Sequence, residues 1–184
     1  MSRITAKSLA ALVIIGFALS TVTVFAEDEA PAGDPTYIGS GKCKMCHKGE
    51  KNGNIWETWL ETKHAKAMES LIAKGEQNNP ECLACHTTGY GTPSGFGADT
   101  TMHNAEALGG VGCESCHGPG SNYKSKKVME NREAALAAGM IIPTEATCKT
   151  CHNEKSPTFK GFNYEEALAK IIHHIPEAPA EKTE

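Results

Sequence analysis

Cys43, Cys46 and His47 stand in the pattern Cys-x-x-Cys-His. The pattern returns at Cys82, Cys85 and His86, at Cys113, Cys116 and His117, and at Cys148, Cys151 and His152. These motifs use all eight cysteines, and each second cysteine is followed directly by histidine. Two thiols three positions apart reach the two vinyl groups along one edge of a porphyrin, and the adjacent imidazole then lies under the iron as its proximal ligand. The pattern is the attachment signature of covalent haem c, present four times. Zinc ribbons and the disulfides of secreted chains also use paired cysteines. Neither needs histidine after the second cysteine, and histidine is only 8 of 184 residues, so the fourfold recurrence weighs against both.

The N-terminus points to the compartment. Arg3 and Lys7 precede an apolar run from Leu9 to Leu19, and Val24-Phe25-Ala26 offers small residues at a cleavage site before Glu27. This reads as a secretory signal peptide over 1–26; an uncleaved anchor is the alternative, but the apolar core is short for a span. Haem attachment outside the cytoplasm agrees with it. The expected location is the periplasm or beyond it, with no membrane span after cleavage.

Cleavage leaves residues 27–184, or about 40 residues per haem. Aromatic residues are only 6 % of the chain, too few for an ordinary side-chain core, so the haems must supply most of it. The expected fold is mainly α: short helices and irregular loops wrapped around a four-haem cluster, with almost no sheet. Without haem the chain should not fold, as small metallodomains fail without metal. Loss of Arg3 and Lys7 takes the formal charge from −4 to −6, which gives no support to nucleic-acid binding. Lysines gather at Lys124, Lys126 and Lys127 and at Lys42, Lys44, Lys48 and Lys51. They read as a solvated face, or as a docking patch for an acidic redox partner.

Residues 27–36 are acidic and proline-containing, a flexible leader; 37–175 form the haem domain, and 176–184 a disordered tail. The spacing predicts a long helix over 55–74, opened by an Asn54/Glu57 capping box and stopped by Gly75. Trp56, Leu60, His64, Met68 and Leu71 would share one face of it. Residues 87–112 hold seven glycines and read as an irregular loop. Further helices are expected from Lys127 to Ala138, closed by Gly139, and from Asn163, capped with Glu166, to a point before Pro176. The motifs lie 39, 31 and 35 residues apart, unequal spacing that marks one attachment unit reused rather than a solenoid.

The stretch Thr62 to Leu71 (Thr-Lys-His-Ala-Lys-Ala-Met-Glu-Ser-Leu) and the block Gly110 to Gly120 (Gly-Val-Gly-Cys-Glu-Ser-Cys-His-Gly-Pro-Gly) closely resemble the tetrahaem cytochrome c-554 family of ammonia-oxidising bacteria. The setting of the first motif, Tyr37 to Cys43, is similar too, and the resemblance runs over roughly 37–175. It implies a mostly helical fold, closely stacked haem pairs, electron shuttling in the periplasm, and one haem without a second protein ligand. The chain is shorter than the family between its third and fourth motifs. It also lacks the histidine that the family places soon after the third, so that distal ligand does not carry over.

Four histidines remain for distal roles: His64, His103, His173 and His174. His64 would lie on an apolar helix face, where an unliganded imidazole is costly, and the resemblance makes it the distal ligand of the fourth haem. The resemblance also assigns a histidine of the terminal segment to the first haem. Counting about 100° per residue, His174 edges the buried stripe of the last helix and His173 points nearly opposite. His174 is the choice, with His173 kept open by Pro176. His103 precedes Cys113 by ten residues and is within bending distance of the second or third haem. Met102 is a weaker alternative, because thioether ligation raises the potential. The second haem is expected to be the open one.

Three function classes follow. One is an electron carrier of bis-histidine haems, exchanging electrons with other redox proteins or membrane quinone-linked cytochromes. Another is a haem enzyme acting on nitric oxide or hydroxylamine at an open iron. The third is a self-assembling filament, in which outward-facing His173 ligates a haem of the next subunit.

Overall fold

The computed structural model describes residues 33–97 and 102–173, with backbone only at Met102, His103 and Ala105. The leader up to Ala32, His174 and the tail lie outside these residues. Ten helices of four to eight residues follow one another among them: α1 (Ser40–His47), α2 (Ile55–Glu61), α3 (Ala67–Ile72), α4 (Pro80–His86), α5 (Met102–Leu108), α6 (Cys113–His117), α7 (Lys126–Met129), α8 (Arg132–Ala137), α9 (Glu145–Lys149) and α10 (Tyr164–Ile171). The described β pairing is a single antiparallel bridge, Thr87 with Gly109. The fold is therefore mainly α, as the sequence predicts.

Short polar caps delimit these helices. Pro80 opens α4 behind Asn79, whose side chain accepts from Glu81 N–H at 3.1 Å. Asn131 caps α8 through Ala134 N–H at 3.0 Å. Asn163 caps α10 through Glu166 N–H at 3.2 Å and donates its amide to the Glu166 carboxylate at 3.1 Å, the reciprocal pair that the sequence predicts there.

Three expected elements differ. The helix over 55–74 is two helices, broken at 62–66. Thr62 Oγ1 donates to the Trp59 carbonyl at 2.7 Å and accepts from Ala65 N–H at 3.3 Å, offering the backbone a local alternative to helix. The His64 carbonyl meanwhile accepts from Val111 N–H at 3.0 Å. Asn54 forms no side-chain cap, lying in the left-handed region at φ 50°, and Glu57 accepts from Gly49 N–H instead at 3.1 Å. Gly75, at φ 73°, does end α3. The helix expected over 127–138 is split where Asn131 starts α8, and the glycine-rich loop contains α5.

The side-chain core is thin. Its buried apolar members are Ala67, Leu71, Leu83, Leu108, Tyr123, Ala135 and Ala138, with one aromatic ring among them. Close backbone approach substitutes for bulk: a Cβ at Gly112 would run into Ser40 Oγ, and one at Gly89 into the Tyr37 ring. These contacts seat the third motif against the first and the glycine-rich loop against Tyr37 at the start of the haem domain.

Candidate haem-binding site

Each motif occupies one helical turn. Cys43, Cys46 and His47 lie on α1, Cys82, Cys85 and His86 close α4, and Cys113, Cys116 and His117 form α6. Cys148 sits in α9 with Cys151 and His152 just beyond it. Residues three and four apart share a helix face, so both thiols and the imidazole of each motif address one side. Cys113 N–H donates to Ser40 Oγ at 3.2 Å, tying the start of α6 to α1.

Thiols of different motifs influence one another. The neighbouring Cys113 thiol, then burial, pushes the Cys43 thiol up, and Cys43 in turn draws Cys113 down. Cys85 is pushed up to about 11 by burial and then by neighbouring Cys151. Cys116 is likewise pushed up to about 11, by burial and then by Cys148. All eight thiols are unpaired. Among the described residues, no three Cys, His, Asp or Glu side chains converge as a metal cluster.

Histidines outside the motifs face histidines inside them. The His64 ring lies 6.0 Å from that of His152, centroid to centroid, at 66°. The His173 ring lies 5.9 Å from His117, at 52°. Imidazoles on opposite sides of one metal ion, at about 2 Å per metal–nitrogen bond and about 1 Å from nitrogen to ring centre, sit about 6 Å apart. Both pairs have that separation. Burial, and then neighbouring His152, lower the His64 pKa, which favours the neutral ring that a metal needs.

The motif histidines have their own supports. His86 Nδ1 lies 2.9 Å from the Ala67 carbonyl, and His117 Nδ1 3.0 Å from that of Ile141. A carbonyl at Nδ1 selects the tautomer that leaves Nε2 free for a metal. Phe162 stacks on His152 at 4.7 Å and 19°. Beside the first motif a cavity of about 420 Å³ opens among Ile38, Met45, Trp56, Trp59, Ala107 and Gly110, a size and lining suited to a flat cofactor. Trp59 is fixed there by its Nε1 donating to the Val111 carbonyl at 3.0 Å. Thiols, imidazoles and a cavity with several apolar walls are the kind of donor set and setting that haem c would use.

Sequence reasoning singled out the motif residues and His64 and put His64 in mid-helix, whereas it sits in the turn between α2 and α3. It expected His173 to point outward; the ring instead faces His117 of the third motif. The cause is local. α10 ends at Ile171 and Ile172 is extended at ψ 133°, so a helical angle count does not reach His173. The structure leaves the side chain of His103 and all of His174 outside the described residues. The carbonyls of Ala67 and Ile141 and the ring of Phe162 were missed, since no residue-type signal marks a carbonyl or a lone phenylalanine.

Short helices bearing Cys-x-x-Cys-His turns, without a sheet among the described residues and with paired imidazoles between them, define a c-type cytochrome that binds haem covalently and works in electron transfer. Residues 42–118 match the family model described as cytochrome c554 and c-prime. The chain is 30 % identical to cytochrome c-554 of Nitrosomonas europaea over 203 aligned positions, covering 96 % of this chain and 80 % of that protein. The solved structure of reduced cytochrome c554 from the same organism matches with a TM-score of 0.53 at 30 % identity, covering 75 % of this chain and 79 % of that one. The chain belongs to the cytochrome c-554 family.

Proposed function

We propose that the protein is a periplasmic tetrahaem electron carrier, with residues 1–26 removed as a signal peptide and 37–175 forming the haem domain. Haem c, when bound, supplies one-electron exchange between ferric and ferrous iron. Cys43 and Cys46, Cys82 and Cys85, Cys113 and Cys116, and Cys148 and Cys151 hold the four groups as thioethers, and His47, His86, His117 and His152 are the proximal ligands. His64 opposes His152 on the fourth haem. His173 opposes His117 on the third, which replaces the expectation that the terminal segment serves the first. The observation that carries the reading is the pair of imidazole separations near 6 Å, each joining a motif histidine to one outside the motifs.

In this reading the chain's residues do three things. Ser40, which accepts from Cys113 N–H at 3.2 Å, holds the third motif against the first, so those two sites lie side by side. With haem bound, His64 with His152 and His173 with His117 would hold the fourth and third groups and keep small ligands out. Ala67, Ile141 and Phe162 hold the proximal rings in fixed planes, which limits rearrangement as the charge changes. Electrons would pass to and from other redox proteins or quinone-linked membrane cytochromes; no helix among the described residues is long and apolar enough to cross a membrane.

A second reading, reaction of a small nitrogen compound at an open iron, rests on His47 and His86. Among the described residues no ring pair joins a second imidazole to either, though His117 is a neighbour of His47, and the second haem stays the candidate open site. His173, turned to His117 of its own chain, no longer supplies the intersubunit ligand of the filament reading. Intact-mass analysis of protein made with a haem-attachment system tests the main proposal: the polypeptide from Glu27 plus four haems is expected, and a zinc-loaded chain without covalent haem overturns it. Electron paramagnetic resonance with and without nitric oxide separates the two readings. A high-spin haem that binds the gas favours the second, and four unresponsive low-spin haems remove it.

A further inference from the structure

Glu114 lies between the cysteines of the third motif, where attachment chemistry asks nothing of the side chain. Its residue is nevertheless 2 % exposed, the most deeply buried charged residue described. Oε1 accepts from the backbone N–H of Gly120 at 2.6 Å and of Ile38 at 3.0 Å, and Oε2 from Gly39 at 2.7 Å and Ile38 at 3.2 Å. Burying a carboxylate is costly unless hydrogen bonds to the charged form replace its water. These partners are all donors, so the pocket is shaped for an anion.

The place of that anion matters as much as its solvation. Cys113, next to it in sequence, donates its N–H to Ser40 Oγ at the start of α1 at 3.2 Å, and Ile38 and Gly39 lead directly into that helix, which carries the first motif. The carboxylate therefore stands at the seam of the first and third motifs. Its field reaches Cys43, Tyr37 and Tyr123, in each of which it favours the protonated form after larger contributions from other causes.

We propose that Glu114 is a redox-tuning residue, a buried anion that lowers the reduction potentials of the first and third haems. The inference rests on the reading above that both motifs carry haem. One-electron reduction adds a negative charge at the iron, and a fixed anion nearby in a low-dielectric setting opposes it. The backbone clamp on both carboxylate oxygens keeps the charge from turning to solvent, so its effect escapes the screening that weakens surface charges.

The test uses holoprotein shown by mass to carry four haems, so that failure of haem attachment is seen separately. Spectroelectrochemical titration of Glu114→Gln should show two of four potentials raised, with the reduced-to-oxidised ratio at fixed potential increased roughly tenfold for those two, the order expected of one unscreened charge nearby at an effective dielectric near 20. Glu114→Asp keeps the charge but shortens the clamp; hydrogen exchange at Ile38 and Gly39 should accelerate while the potentials stay near wild type. Potentials unchanged in Glu114→Gln, moved equally in all four haems, or moved as far by Glu114→Asp overturn the proposal. If Glu114→Gln does not mature, infrared difference spectra of wild-type holoprotein with carbon-13-labelled glutamate serve instead. A glutamate carboxylate band that shifts as two of the haems are reduced is expected, and its absence overturns the assignment.

Discussion

Replacing His64 by Ala removes one imidazole from a turn that does not depend on it. The turn is fixed by Val111 N–H to the His64 carbonyl at 3.0 Å, Ala67 N–H to the same oxygen at 3.2 Å, and Ala65 N–H to Thr62 Oγ1 at 3.3 Å. Each such bond contributes about 1 kcal/mol net, and none involves the ring, so the backbone should hold its place. What is lost is the ring 6.0 Å from His152. One haem should then change from low to high spin, taking its share of the low-spin intensity with it. The thioethers at Cys148 and Cys151 keep the haem attached, so the mass changes only by the substitution. Free imidazole, added to the void opposite His152, should restore the lost signal, and more readily in His64→Gly, where the void is larger. Electron paramagnetic resonance of the oxidised protein, with and without imidazole, measures both effects. Undiminished low-spin intensity in His64→Ala would refute the assignment and leave His64 a structural residue of the turn.

The terminal histidines give a second test: His173→Ala should open the third haem, while His174→Ala leaves its spin state unchanged, and the reverse result would restore the helical angle count. Phe162→Ala should alter the low-spin anisotropy of the fourth haem without changing its spin, since it removes the ring stacked 4.7 Å from His152; a spectrum identical to wild type would deny Phe162 any positioning role. For pH, burial and then His152 lower the pKa of His64 below its ordinary 6.5. Its contribution is therefore complete above pH 6.5 and is lost as pH falls through the depressed value. The low-spin signal of the fourth haem should persist at pH 6.5 and fade only on further acidification, and a loss beginning above pH 6.5 would contradict the buried, neutral ring.

The haem chemistry was legible because covalent attachment imposes a rigid local spacing. Two thiols and an imidazole within five residues form their geometry in one helical turn, whatever the surrounding fold does. The mainly helical class followed from composition by a similar argument: with aromatic residues only 6 % of the chain, the side-chain core is thin and short helices suffice to carry the motifs. The capping pair Asn163 and Glu166 was legible for the same reason. Helix length was not. The apolar period through Trp56, Leu60, His64, Met68 and Leu71 is real, yet Thr62 back-bonds to Trp59 and Val111 takes the His64 carbonyl, and that second partner lies 47 positions away in sequence.

The terminal histidines are the more instructive case. A helical count decides which face a residue occupies only while the helix continues, and α10 stops two residues before His173. There the extended backbone at Ile172 swings the next side chain off the helical register and brings its ring to 5.9 Å from His117. That ring contact spans 56 positions, and is fixed by where chain ends and turns fall rather than by periodicity. Glu114 makes the complementary point. Nothing in a Cys-Glu-Ser-Cys-His string distinguishes a solvated glutamate from a buried one, because its burial depends on the amides of Ile38 and Gly39, 76 and 75 positions earlier. Motifs announce the residues that hold a cofactor; the backbone that closes over them decides which charges and rings the cofactor feels.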